Sequence, residues 1–151
     1  MKRSNWQFVL TLAVCTLLPA MAAQAKHKVP RPFEMQAQSH QVWQLDDTGT
    51  PVQMLSAEGW GVATHCGLVY TAMKAPPSAE GFITSANGDQ IFFLWTPTDL
   101  THVTITGGTG RLDGATGEFT MTFLSQEVSF DRDALTMTIS FTWTASGTIS
   151  Y

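Results

Sequence analysis

The chain has 151 residues, of which 44% are hydrophobic and only 13% charged, and eight Lys and Arg stand against twelve Asp and Glu for a formal charge of −4. That length suits one domain with a single core. So few and scattered cations argue against a nucleic-acid partner, which needs clustered Lys and Arg to meet phosphates.

At the start of the chain, Lys2 and Arg3 precede an apolar run from Phe8 to Leu18, and Pro19 leads on to Ala23-Gln24-Ala25. This charged, apolar and small-residue order predicts a secretory signal peptide over 1–25, cleaved after Ala25, and hence a secreted or periplasmic protein. The apolar run is shorter than the roughly 18–20 residues that cross a bilayer, so no integral membrane segment is expected after cleavage. Cys15 is a poor lipid-attachment residue, because bulky Val14 precedes it and apolar sequence follows. Residues 26–151 hold all twelve carboxylates beside Lys26, Lys28, Arg31, Lys74, Arg111 and Arg132, a formal charge of −6. They also hold a single cysteine, Cys66, so an internal disulfide is impossible and the core alone must stabilise the domain. A lone thiol of this kind is expected to be buried as a small hydrophobe.

Residues 26–38, with Lys26, Lys28, Pro30, Arg31 and Pro32, read as an extended lead-in, and a β domain is placed at 39–151. No segment has the i, i+3, i+4 spacing of an amphipathic helix. A short first strand at 40–45 is followed by a pair at 52–62 and 67–74. Asn87-Gly88 then separates strands at 81–85 and 90–95, the strongest two-residue hairpin signal, since both turn positions favour positive φ. Val103 and Ile105 alternate with Thr, as do Phe119, Met121 and Phe123 with Glu118, Thr120 and Thr122. The last strand is the plainest. Odd positions from Leu135 to Tyr151 are apolar or Gly and even positions from Thr136 to Ser150 are all Ser or Thr, giving one apolar and one hydroxyl face. Gly147 in that strand is expected to mark a bend or bulge. About eight strands with hairpin-length links predict an all-β, eight-stranded antiparallel up-and-down barrel, with a sandwich as the other option. A barrel of that size is filled by side chains or holds one small ligand.

Four motifs carry a family resemblance: Gly61-Val62-Ala63-Thr64-His65-Cys66-Gly67, Ser85-Ala86-Asn87-Gly88-Asp89-Gln90, Ile105-Thr106-Gly107-Gly108-Thr109-Gly110-Arg111-Leu112-Asp113-Gly114-Ala115-Thr116-Gly117 and Gly147-Thr148-Ile149-Ser150-Tyr151. Together they resemble the secreted bacterial relatives of the allene oxide cyclase barrel, whose fold is shared with the plant dirigent proteins. The resemblance implies a calycin-like barrel with a largely apolar cavity, no metal and no organic cofactor. In the plant enzymes that cavity folds a fatty-acid epoxide into a cyclopentenone, and in dirigent proteins it orients phenoxy radicals. The plant relatives also assemble into trimers or dimers, so a homo-oligomer is expected. Cys66 stands where such relatives more often have an aliphatic residue, and the plant cyclase's catalytic carboxylate and asparagine have no aligned counterpart.

The resulting expectation is a small hydrophobic ligand bound in the cavity, by a carrier or a cofactor-free cyclase or isomerase. Glu58 and His65 are the candidate proton-transfer groups, and Trp60, Trp95, Phe93, Phe141 and Trp143 the candidate ligand-binding wall. Each has a plainer reading. Glu58 shares a strand face with Met54, Ser56, Trp60 and Val62, and strand parity does not decide whether that face points in or out. His65 titrates near neutral pH, but in a strand link it serves equally as a backbone hydrogen-bond partner. His40, His65 and His102 lack the short ligand spacing of a zinc site, and Gly107 to Gly110 precedes no helix and no Lys-Ser/Thr pair, so it reads as a tight turn in which Arg111 meets a carboxylate. The rival class is a filled barrel acting as an envelope or extracellular interaction module.

Overall fold

Period-two alternation of apolar and polar side chains builds the strands. The computed structural model describes residues 28–96 and 99–151; the signal peptide and the cleavage point lie outside the described residues. Eight antiparallel strands run in chain order: β1 (Arg31–Leu45), β2 (Pro51–Ala63), β3 (Gly67–Met73), β4 (Glu80–Ser85), β5 (Gln90–Thr96), β6 (Asp99–Gly108), β7 (Thr116–Asp131) and β8 (Thr136–Ser150). Each pairs with the next, and β8 returns to β1 from Arg31↔Ile149 to Gln44↔Thr136, closing the barrel. The up-and-down barrel is the observed architecture.

The lead-in needs correcting. From Arg31 onward it is barrel wall, with Phe33, Met35, Ala37 and Ser39 buried between exposed Pro32, Glu34, Gln36 and Gln38. Proline near a strand's beginning removes one ladder donor without ending the strand, so Pro32 did not mark a boundary.

One end is sealed. Phe33, Ile91, Ala115 and Ile149 are fully buried there, and a single 3-10 turn, Gly110–Leu112, tucks Leu112 beneath them. Arg111 Nε donates to Asp89 Oδ2 at 2.8 Å, tying this turn to the β4–β5 link as the sequence suggested. That link is a hairpin, but only Gly88 takes a positive φ, +87°. Asn87 works through its side chain instead, accepting from Ser85 Oγ and donating from Nδ2 to Asp89. Gly147 coincides with no register shift in either ladder. Its role is close approach: a Cβ there would collide with the Glu118 carbonyl and the Phe119 backbone.

The two sides of the barrel differ in height. β1, β2, β7 and β8 have 13 to 16 residues, whereas β3, β4 and β5 have six or seven. β3 accompanies β2 only along Glu58–Ala63, and β6 accompanies β7 only along Gly117–Thr120. The sheet β2-β1-β8-β7 therefore rises past the rim as a four-stranded wall.

The candidate functional site is the open mouth of the barrel

The interior below the rim is packed by rings in sequence. Phe33 lies 5.2 Å from Phe119, Phe119 is edge-on to Phe93 at 6.1 Å, and Phe93 is edge-on to Trp95 at 4.9 Å. Edge-to-face pairs of this kind add attraction beyond burial alone. At the mouth these side chains meet Met73, Met121, Phe141 and Trp143, with Ser39 and Thr71 as the polar members of the lining. Trp143 Nε1 donates to Ser39 Oγ at 2.9 Å, and no buried side-chain polar atom among the described residues lacks a partner. The free space left among them is about 20 Å³, enough for one water. The barrel is filled rather than hollow.

Above this lining, the tall wall continues the same apolar face. Cross-strand neighbours Met54, Trp43, Met137 and Phe130 form one row, and Ala57, Gln41, Ile139 and Val128 the next. Phe130 is 61% exposed and Val128 44%, because no strand of the short side stands opposite them. The mouth is thus an aromatic floor with an apolar shelf on one side. Among the described residues its lining contains no Asp, Glu, His, Lys or Cys.

Of the expected wall, Phe93, Trp95, Phe141 and Trp143 come together at this mouth, while Trp60 does not. Trp60 is 53% exposed on the outer surface. The physical reason is a register shift: Val42 pairs with Ser56 but Trp43 with Met54, leaving Leu55 unpaired. The extra residue flips the phase, so Met54 faces in while Glu58, Trp60 and Val62 face out. Phe92, Phe123 and Phe130 are exposed as well.

Glu58 accepts a hydrogen bond from the Tyr70 hydroxyl at 2.9 Å on that outer surface. Burial, and secondly this carboxylate, push the Tyr70 hydroxyl above its ordinary pKa. Trp60, Tyr70, Gln36, Gln38, Val62 and Leu68 border a shallow outer groove of about 700 Å³. His65 sits at the sealed end with φ of 67°, and its Nε2 donates to the Pro32 carbonyl at 2.9 Å. A carbonyl only accepts, so the ring carries its proton on Nε2. Its ring also meets Tyr151 edge-on at 5.9 Å, which makes it a corner fastener. Neither proton-transfer candidate lines the mouth. His40 bonds Ser140, and His102 lies 3.5 Å from Glu118. No group of three or more His, Cys, Asp and Glu among the described residues is placed to hold a metal.

Cys66 is buried at the sealed end. Burial raises its thiol pKa, with Arg111 acting in the opposite direction. No described helix is long and apolar enough to cross a membrane. Comparison with protein-family models, with curated proteins and with solved structures finds no match.

Proposed function

We propose that the protein is an exported binding protein that takes a small apolar molecule at the open end of its barrel. The observation that carries this reading is the tall wall, whose partly or largely exposed Trp43, Val128, Phe130, Met137 and Ile139 lead along β8 to Phe141 in the aromatic floor. Contiguous exposed apolar surface continuous with a pocket is where ligands or partners bind. With about 20 Å³ free inside, the ligand rests on the shelf and displaces the pliant Met73 and Met121 side chains, rather than being enclosed.

Export rests on the order of charged, apolar and small residues over 1–25. Kinship with the allene oxide cyclase and dirigent group rests on the glycine-rich motifs and on the eight-stranded closed barrel which that resemblance implies. A cyclase or isomerase acting by proton transfer draws no support from the described lining residues, none of which is an acid or base at neutral pH.

Native mass spectrometry of the protein purified from its own export compartment, with a thermal-shift panel of lipids and polyketides, tests the reading. A co-purifying apolar molecule is expected, lost on Ile139→Asp. No ligand and no shift across the panel would overturn it and leave the filled barrel as an interaction module, the second reading that the packed interior favours.

A further inference from the structure

The tall wall ends in two bare strand edges, and they are built differently. On the β2 side, the edge from Pro51 to Ala57 is interrupted by proline and by two register irregularities, opposite Val42/Trp43 and Gln44/Leu45. Proline and bulges are devices that keep a sheet edge unpaired. On the β7 side, β6 contributes no ladder partner beyond Thr120 among the described residues. Beyond the irregularity at Phe123/Ser125, residues 125–131 run in regular register with β8 and contain no proline or glycine. Their outward backbone N–H and C=O groups present a template that a strand satisfies.

We infer that β7 pairs with β7 of a second copy, antiparallel about a two-fold axis at Val128. A two-fold makes one strand its own antiparallel partner, as an isologous interface requires. The charges rule out the registers one residue to either side. With the axis at Val128, Glu127 lies opposite Ser129 and Asp131 opposite Ser125, so both acids face hydroxyls. An axis at Glu127 sets Glu127 against itself, and an axis at Ser129 sets Glu127 against Asp131. Like charges directly opposite destabilise a strand pair. In the selected register Val128 meets Val128, and each Phe130 lies diagonal to the facing Val128, within reach of an aromatic side chain. This pairing sets the 61% exposed Phe130 and the 44% exposed Val128 beside apolar neighbours of the second copy and leaves their shared face open. The two tall walls become one eight-stranded sheet.

Light scattering across a concentration series is expected to give a dimer that dissociates on dilution. Val128→Lys places two ammonium groups opposite each other on the axis and is expected to give a monomer with an unchanged circular dichroism spectrum and a melting temperature that no longer varies with concentration. Val128→Cys is expected to form a covalent dimer under mild oxidation, while Thr104→Cys, exposed on the outer face of β6, is not. A monomer at every concentration overturns the inference, as does a dimer that survives Val128→Lys or covalent capture that is equal at the two cysteines.

Discussion

Trp143 and Ser39 meet 2.9 Å apart across the β8–β1 seam, the indole N–H donating to the hydroxyl inside the barrel. Both are buried, at 5% and 6% exposure. Ser39→Ala removes the indole's acceptor while leaving the indole in place, so the loss is the desolvation of an unpaired donor, about 1–3 kcal/mol. Chemical denaturation should register it as a lower midpoint with an unchanged slope. A variant as stable as the parent would mean that the indole has found another partner.

The Arg111–Asp89 pair predicts a pH dependence. The hydrogen bond from Arg111, and secondly that from Asn87, hold the Asp89 carboxyl below its ordinary pKa. A depressed folded-state pKa contributes stability that is present above the ordinary carboxylate range and is lost as pH falls through the folded value. Asp89→Asn should therefore be less stable than the parent at neutral pH, and the gap should close in acid. Urea midpoints over a pH series test this. A gap that stays constant or widens on acidification sinks the assignment.

Two glycines in extended backbone predict opposite outcomes. At Gly147 an added Cβ meets backbone of β7, which cannot swing aside, whereas at Gly107 the nearest atom is Phe92 Cδ2 at 3.5 Å, ordinary contact. Gly147→Ala is expected to cost ~3 kcal/mol, the upper end for overpacking, and Gly107→Ala to be nearly neutral. Thermal melts of the two variants side by side would reverse the argument if Gly107→Ala proved the more damaging.

Cys66 should be slow to react. Its burial raises the thiol pKa, and the thiolate is the nucleophile, so alkylation of the folded protein at neutral pH should lag far behind that in denaturant. Mass spectrometry of timed quenches measures the ratio. Equal rates would place Cys66 in an accessible setting.

Much of the fold was legible because one face of each strand is apolar. The unbroken alternation from Leu135 to Tyr151 announced β8, and Asn87-Gly88 announced the β4–β5 hairpin. The start of β1 is hidden because Pro30, Arg31 and Pro32 resemble a linker, although Phe33, Met35 and Ala37 already keep period two. Glu58 and Trp60 were the hard case. A bulge inverts the phase of everything beyond it, and nothing in Met54-Leu55-Ser56-Ala57 marks where the extra residue falls. The mouth was half legible. Phe93, Trp95, Phe141 and Trp143 follow from alternation, but the shelf depends on unequal strand heights. Those heights are set by where partners stop, which no single strand records.

The seam between β1 and β8 also bears on how the chain reaches its fold. All other ladders join neighbours in sequence, but this one joins Arg31 to Ile149 and Gln44 to Thr136. Such pairs must close the longest loops in the molecule before they gain any hydrogen bond. Until β8 arrives, β1 and β7 both carry bare edges along most of their length. The barrel is therefore exposed to mispairing late in folding, and the hydroxyl-lined final strand is what ends that exposure.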